Sequence, residues 1–180
     1  RYNGYEFKVF KAGKEKNTIV NNKISDIKED LEGNIWVATS NGVSKLHNNS
    51  QKITNYSIKK DKGNLTTGLT RCILITEDNE ILIGTEKGIN IYDEKTDSFK
   101  LLFDNDKLIN MNINSLTIDN EKNIWAAARE DGLFKINLHS KTIEKFDLGF
   151  ENREDVNKVY YDYRGLLCVS IHKVGVYVLD

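Results

Sequence analysis

A run of about 20 apolar residues, the length a helix needs to cross a bilayer, occurs nowhere in this sequence, and no basic segment followed by an apolar one opens it. Cysteine is scarce: Cys72 and Cys168 stand far apart, neither with a CxxC partner. A metal or redox site on them is unsupported, no disulfide between them is expected, and both read as small buried residues. Charge of one sign is missing as well. The 26 Lys and Arg are interspersed with 27 Asp and Glu, for a net charge of −1. Faces that bind nucleic acid gather basic residues to displace counterions, so nucleic acid is not an expected partner.

Catalytic signatures are absent in the same way. There is no GxSxG, GxxxxGKS or GxGxxG, and the serines have no His and Asp beside them in a recognisable arrangement. His47, His139 and His172 each sit in or near a turn with no second histidine at ligand spacing, so no metal and no cofactor are expected. The acidic group Asp93, Glu94 and Asp97 lacks the longer alternation of oxygen ligands that a calcium loop needs.

What is present is an internal repeat. Four segments share a pattern of apolar pair, acidic turn, apolar strand, glycine and second apolar strand: Ile24 to Leu46, Thr70 to Tyr92, Ile113 to Ile136 and Val156 to Leu179. Their strand-centre residues Trp36, Leu82, Trp125 and Cys168 are 46, 43 and 43 residues apart, the period of a propeller blade. Each lies nine residues after an apolar partner, Ile27, Ile73, Leu116 or Val159. Gly42, Gly88, Gly132 and Gly175 follow the second strand, where a tight turn needs positive φ or close backbone approach. The strands are apolar on both faces, as in NIWVA and EILIG, and no long segment keeps a 3.6-residue stripe. An all-β fold is therefore expected: β-propeller blades of four antiparallel strands, each blade burying its faces only against its neighbours.

The expected organisation is an isolated strand over residues 1–13, blades over 21–58, 67–104 and 110–148, and a last blade over 153–180 lacking its own fourth strand. The polar connections 59–67 and 104–112 read as ordered surface loops. Tyr5, Phe7 and Val9 alternate on one face of the opening segment, which suits the strand that completes a terminal blade. Three assemblies stay open: a closed four-blade ring, an arc of a larger propeller, or a homodimer that joins eight blades by exchanging terminal strands. The dimer is favoured for the isolated chain.

These residues resemble the two-component regulator propeller repeat, most closely in DIKEDLEGNIWVATSNGVSKL from Asp26 to Leu46, with Leu82 and Cys168 departing from its tryptophan. The resemblance covers nearly the whole chain. It implies an extracytoplasmic sensor propeller, attached in a parent chain to a kinase or cyclase output domain and recognising a saccharide or another polar small molecule without catalysis. An interaction or dimerisation platform is the alternative, and a propeller lyase or glycosidase fragment a weaker one. Sialidase Asp boxes place five residues from Asp to Trp, whereas Asp30 to Trp36 and Asp119 to Trp125 are six. WD-repeat and kelch signatures are missing.

Ligand contacts are expected where a propeller's D-to-A and B-to-C loops open on one face. The start of each innermost strand carries a recurrent polar residue that suits a channel lining: Ser25, Arg71, Asn114 and Asn157. The two longest B-to-C turns add Arg129, Glu130, His172 and Lys173. Arg71 and Arg129 can grip a carboxylate, a sulfate or sugar hydroxyls through a planar fork of donors. Tyr160 and Tyr161 read as packing between blades, and Trp36 and Trp125 as core.

Overall fold

The computed structural model describes residues 7–58, 64–103, 110–149 and 155–179. Fifteen strands form four antiparallel sheets, one per repeat, each in simple sequence order. Blade one holds β1 (Ile24–Glu29), β2 (Ile35–Thr39), β3 (Gly42–Leu46) and β4 (Ile53–Tyr56). Blade two holds β5 (Thr70–Ile75), β6 (Ile81–Thr85), β7 (Gly88–Asp93) and β8 (Ser98–Leu101). Blade three holds β9 (Asn112–Ile118), β10 (Asn123–Arg129), β11 (Gly132–Asn137) and β12 (Thr142–Phe146). Blade four has three strands, β13 (Val156–Tyr161), β14 (Leu167–Ile171) and β15 (Gly175–Leu179). No helix occurs among the described residues.

Neighbouring blades pack face to face, and the core lies in the three junctions. Trp36, Ala38 and Val43 of blade one meet Ile73, Ile81 and Ile83 of blade two. Leu74, Leu82 and Ile89 then meet Ile113, Ile124 and Ala126. Trp125, Ala127 and Leu133 close the third junction against Val159, Leu167 and Val169. A single four-stranded sheet of this composition leaves one apolar face in water, at about 25 cal/mol per Å²; stacking removes that cost at each internal face.

The first hairpin of blades one, three and four is set by a turn aspartate, and in blade two Thr76 takes that place, its Oγ1 accepting the Glu80 N–H at 3.1 Å. Asp30 is buried, and its carboxylate accepts the Asn34 backbone N–H at 2.8 Å and the indole Nε1–H of Trp36 at 2.7 Å. Asp119 repeats this with Asn123 and Trp125, at 2.8 Å each. In blade four Asp162 accepts from the Leu166 backbone and from Arg164 Nε, which stands in for the missing indole. Burial pushes the Asp30 carboxyl upward in pKa, but the bonds from Asn34 and Trp36 outweigh it and leave it below the usual carboxylate value. Asp162 is held low in the same manner, burial being outweighed by donors from Leu166 and Arg164.

A carboxylate depressed in the folded state adds stability above its unfolded pKa of about 3.9, and that stability is lost as pH falls through the folded value. The melting midpoint is therefore expected to hold from neutral pH to about pH 5 and to fall below about pH 4. Asp30→Asn is expected to flatten that acid limb when melting is followed by circular dichroism across pH. An unchanged slope in the variant overturns the assignment.

The sheets end in an open arc, not a closed four-blade ring. Inner strands β1, β5, β9 and β13 lie side by side in that order, while Ile27 on β1 and Val176 on β15 stay exposed. Residues 7–13 contribute no strand to the four sheets; the strand expected over 1–13 also includes residues 1–6, outside the described residues. Segment 12–20 instead crosses the outer face of blade one. Ala12 bridges Ile19, Asn55 Nδ2 donates to the Thr18 carbonyl at 2.8 Å, and the Val20 N–H donates to Ser44 Oγ at 2.9 Å. The described residues 12–20 thus lie against blade one, at the other end of the arc from blade four. Of the loops expected at 59–67 and 104–112, residues 59–63 and 104–109 lie outside the described residues.

Candidate functional site

The B-to-C turns and the residues just ahead of the innermost strands lie at one end of the arc. The first residue after β2, Ser40, donates its backbone N–H to the Lys23 carbonyl ahead of β1, at 3.0 Å. Glu86 to Leu69 and His172 to Asp155 repeat the link at 3.3 and 2.9 Å. These bonds hold the B-to-C turns against the starts of the innermost strands.

Ser25, Arg71, Asn114 and Asn157 share a structural cause. In every blade the register between the innermost strand and its neighbour slips at that residue: Ser25 is passed over between Ile24↔Thr39 and Asp26↔Ala38. Arg71, Asn114 and Asn157 are skipped likewise. Each is the extra residue of a β-bulge, a device that bends the strand and re-aims a side chain. Two residues that are not both apolar, set between the first residue of the strand and the apolar partner at Ile27, Ile73, Leu116 or Val159, are the sequence trace of that bulge.

The four bulged residues do different work. Ser25 Oγ donates to the Thr70 carbonyl of the next blade at 2.7 Å, which makes it a junction residue. Arg71 is half-buried, and its Nε is buried without a hydrogen-bond partner. Asn114 is half-buried and Asn157 exposed. Near them Arg129 ends β10, its Nε 3.9 Å from Asp155 Oδ1. Asp155 Oδ1 and Asn112 Oδ1 are also buried without a hydrogen-bond partner. Among the described residues, these three unmatched buried side-chain atoms all stand at the starts of innermost strands, on one mouth of the arc.

Glu130 and Lys173 take the left-handed conformation, with φ of 66° and 60°, so the extra residue of each lengthened turn is accommodated at positive φ. His172 and Lys173 are exposed at the rim. Asp97, which the sequence marks only as part of an acidic group, accepts the hydroxyls of Tyr56 at 2.6 Å and Tyr92 at 2.8 Å, tying blade one to blade two. The acidic group at 93–97 is thus partly structural, and no metal-ligating cluster is found among the described residues. Cys72 is buried and its thiol is pushed up to about 12, chiefly by burial; both cysteines are free. His47 is half-buried with Nε2 2.9 Å from Thr54 Oγ1.

A cleft of about 620 Å³ lies at the opposite end, between the β5–β6 and β9–β10 turns, lined by Glu77, Asp78, Asp119, Lys122 and His139. Lys122 reaches Asp78 across it at 3.4 Å. None of the residues expected from sequence lines this cleft.

No protein-family model matches the sequence, and no curated protein matches it. Solved structures do. The extracellular domain assigned to the hybrid two-component system BT4673 of B. thetaiotaomicron superposes with a TM-score of 0.71 at 22% identity, over 86% of this chain and 21% of that one. The corresponding domain of BT3049 from the same organism gives 0.75 at 17%, over 89% and 23%. A virginiamycin B lyase from Staphylococcus aureus gives 0.62 at 17%, over 88% and 55%. The chain spans about a fifth of the length of the two extracellular domains it matches. It is a run of four neighbouring β-propeller blades, a fold shared with the extracellular domains of hybrid two-component systems.

Proposed function

We propose that this chain is a non-catalytic, ligand-sensing part of an extracytoplasmic receptor propeller, whose mouth of innermost-strand residues binds a saccharide or another polar small molecule. One observation carries the reading: the buried side-chain atoms left without hydrogen-bond partners, Arg71 Nε, Asn112 Oδ1 and Asp155 Oδ1, gather where the bulges aim polar groups. A buried polar group without a partner costs about 1–3 kcal/mol, so a molecule that satisfies several at once binds favourably. Arg71 supplies a donor and the two oxygens supply acceptors. Hydroxyl groups, which donate and accept, complement that set. The likeness to extracellular domains of hybrid two-component systems supports a receptor role, with a kinase or cyclase as the output domain of a longer chain.

The test is thermal denaturation against a panel of mono- and oligosaccharides and polar metabolites. A ligand of the native state at a hundredfold over its Kd adds about 2.7 kcal/mol, an upward shift of several degrees. Arg71→Ala is expected to weaken the responding compound about tenfold, since a hydrogen bond to a charged group contributes about 1.5–3 kcal/mol. Asp155→Asn is expected to weaken it less. No shift across the panel, or a shift that Arg71→Ala leaves untouched, overturns the reading.

A further inference from the structure

In sequence Arg71 and Arg129 look alike, and the structure separates them. Arg129 has a counter-charge: its Nε stands 3.9 Å from Asp155 Oδ1, and its side chain is 52% exposed. Arg71 has none. It is half-buried, its Nε is shut away without a hydrogen-bond partner, and among the described residues it takes part in no ion pair. Its strand β5 runs between β1 and β9, so blades of this chain flank it on both sides.

The acids of the adjoining strand and turn are committed elsewhere. Asp26 on β1 accepts the Ile27 N–H through Oδ1 and the Ile73 N–H through Oδ2, both at 2.8 Å. Glu86, in the turn held against the start of β5, accepts the Thr67 hydroxyl at 3.0 Å. After burial, the charges that act on the thiol of Cys72, the next residue along β5, are those of Asp26, Lys158 and Arg71. Two cations against one acid leave positive charge in excess on this part of the inner strands. A lysine so placed can shed its proton, but arginine, with a pKa above about 12, stays charged. The guanidinium therefore keeps a charge that burial penalises and that no ion pair offsets among the described residues. A hydroxyl gives it an acceptor; only an anion supplies the missing charge.

We propose, on the basis of the ligand reading above, that the molecule bound at this mouth carries a carboxylate or a sulfate gripped by Arg71 on blade two, with hydroxyl groups donating to Asn112 on blade three and Asp155 on blade four. The direction follows from the order of the inner strands β5, β9 and β13. Arg71 opens that row with an unmatched donor and a full positive charge, and Asn112 and Asp155 continue it with unmatched acceptors. Asp155, itself an acid, repels an anion placed at the blade-four end. An anion with two oxygens side by side fits the planar fork of the guanidinium, which a point charge such as lysine does not reproduce.

The first test needs no ligand. Arg71→Met keeps an apolar stem and removes the charge, so the melting midpoint of the unliganded chain is expected to hold or rise. A midpoint several degrees lower means that the protein already neutralises Arg71, and overturns the proposal. The second test is titration calorimetry with matched compounds: glucuronate and galacturonate beside their uncharged amides, and sulfated galactose beside galactose. A charged member is expected to bind about tenfold tighter than its neutral counterpart. Arg71→Met is expected to erase that preference and Arg71→Lys to keep part of it. Equal binding of charged and neutral members, a preference that Arg71→Met leaves intact, or no binding by any charged member overturns the proposal. Neutral sugars that bind in an Arg71-dependent way, with no gain from the charge, overturn it while the ligand reading stands.

Discussion

Replacing Trp36 by alanine is expected to cost about 3–5 kcal/mol, the range for deleting a large aromatic from a core. Trp36 is fully buried at the first junction. Its ring centroid lies 4.9 Å from that of Tyr92, 5.9 Å from Tyr56 and 6.0 Å from Phe99. Lys45 Nζ sits 4.9 Å from the ring centre. Three aromatic rings, one stacked and two edge-on, and a cation thus lose their common partner. Trp36→Phe separates the ring from its N–H: the ring contacts survive while Asp30 Oδ2 keeps only Asn34 Nδ2, at 3.0 Å. That variant is expected to lose about 1–2 kcal/mol. Trp125→Ala probes the third junction, where the indole meets the Phe146 ring at 5.3 Å, and the loss is expected to be smaller than for Trp36.

Stability in a repeat array is close to a sum of unit and junction contributions, so the Trp36→Ala loss is expected to be local. Hydrogen exchange is expected to accelerate in β1 to β4 before it does in blade three. Denaturant melts give the total and exchange gives its location. A Trp36→Ala midpoint within about 1 kcal/mol of the parent contradicts the structure, since large values come from a short list of mechanisms of which this is one.

The blades were readable in the sequence because each strand carries apolar residues on both faces, and the nine-residue offset from Ile27 to Trp36 is a constant of the hairpin. The pairing Ile27↔Val37 with Lys28↔Trp36 is that offset folded back on itself. The four glycines were readable for a similar reason, and all four have positive φ. The recurrent polar residue of the innermost strand was visible, but not the bulge that explains it, since register depends on where two strands meet in space. The Asp30 to Trp36 spacing sets the chain apart from one propeller class in sequence, while only the folded hairpin shows that it brings a carboxylate onto an indole N–H. The unmatched atoms at the mouth were out of reach altogether. Asn112 and Asp155 lie just outside the four polar positions that the repeat marks, and only packing shows which buried atoms lack partners.

Gly42 and Gly175 occupy the same place in blades one and four, and alanine at the two is expected to give different results. At Gly42 φ is 123°, and an added Cβ would strike the Tyr56 carbonyl oxygen of β4. Backbone strain of about 1–3 kcal/mol and overpacking of about 1–3 kcal/mol combine to an expected loss of about 2–4 kcal/mol for Gly42→Ala. At Gly175 φ is 135°, but nothing lies within 4 Å of an added Cβ, because no fourth strand borders β15 among the described residues. Gly175→Ala is therefore expected to lose only the strain, about 1–2 kcal/mol. Equal losses for the two glycines in denaturant melts would mean that β4 is not what confines Gly42.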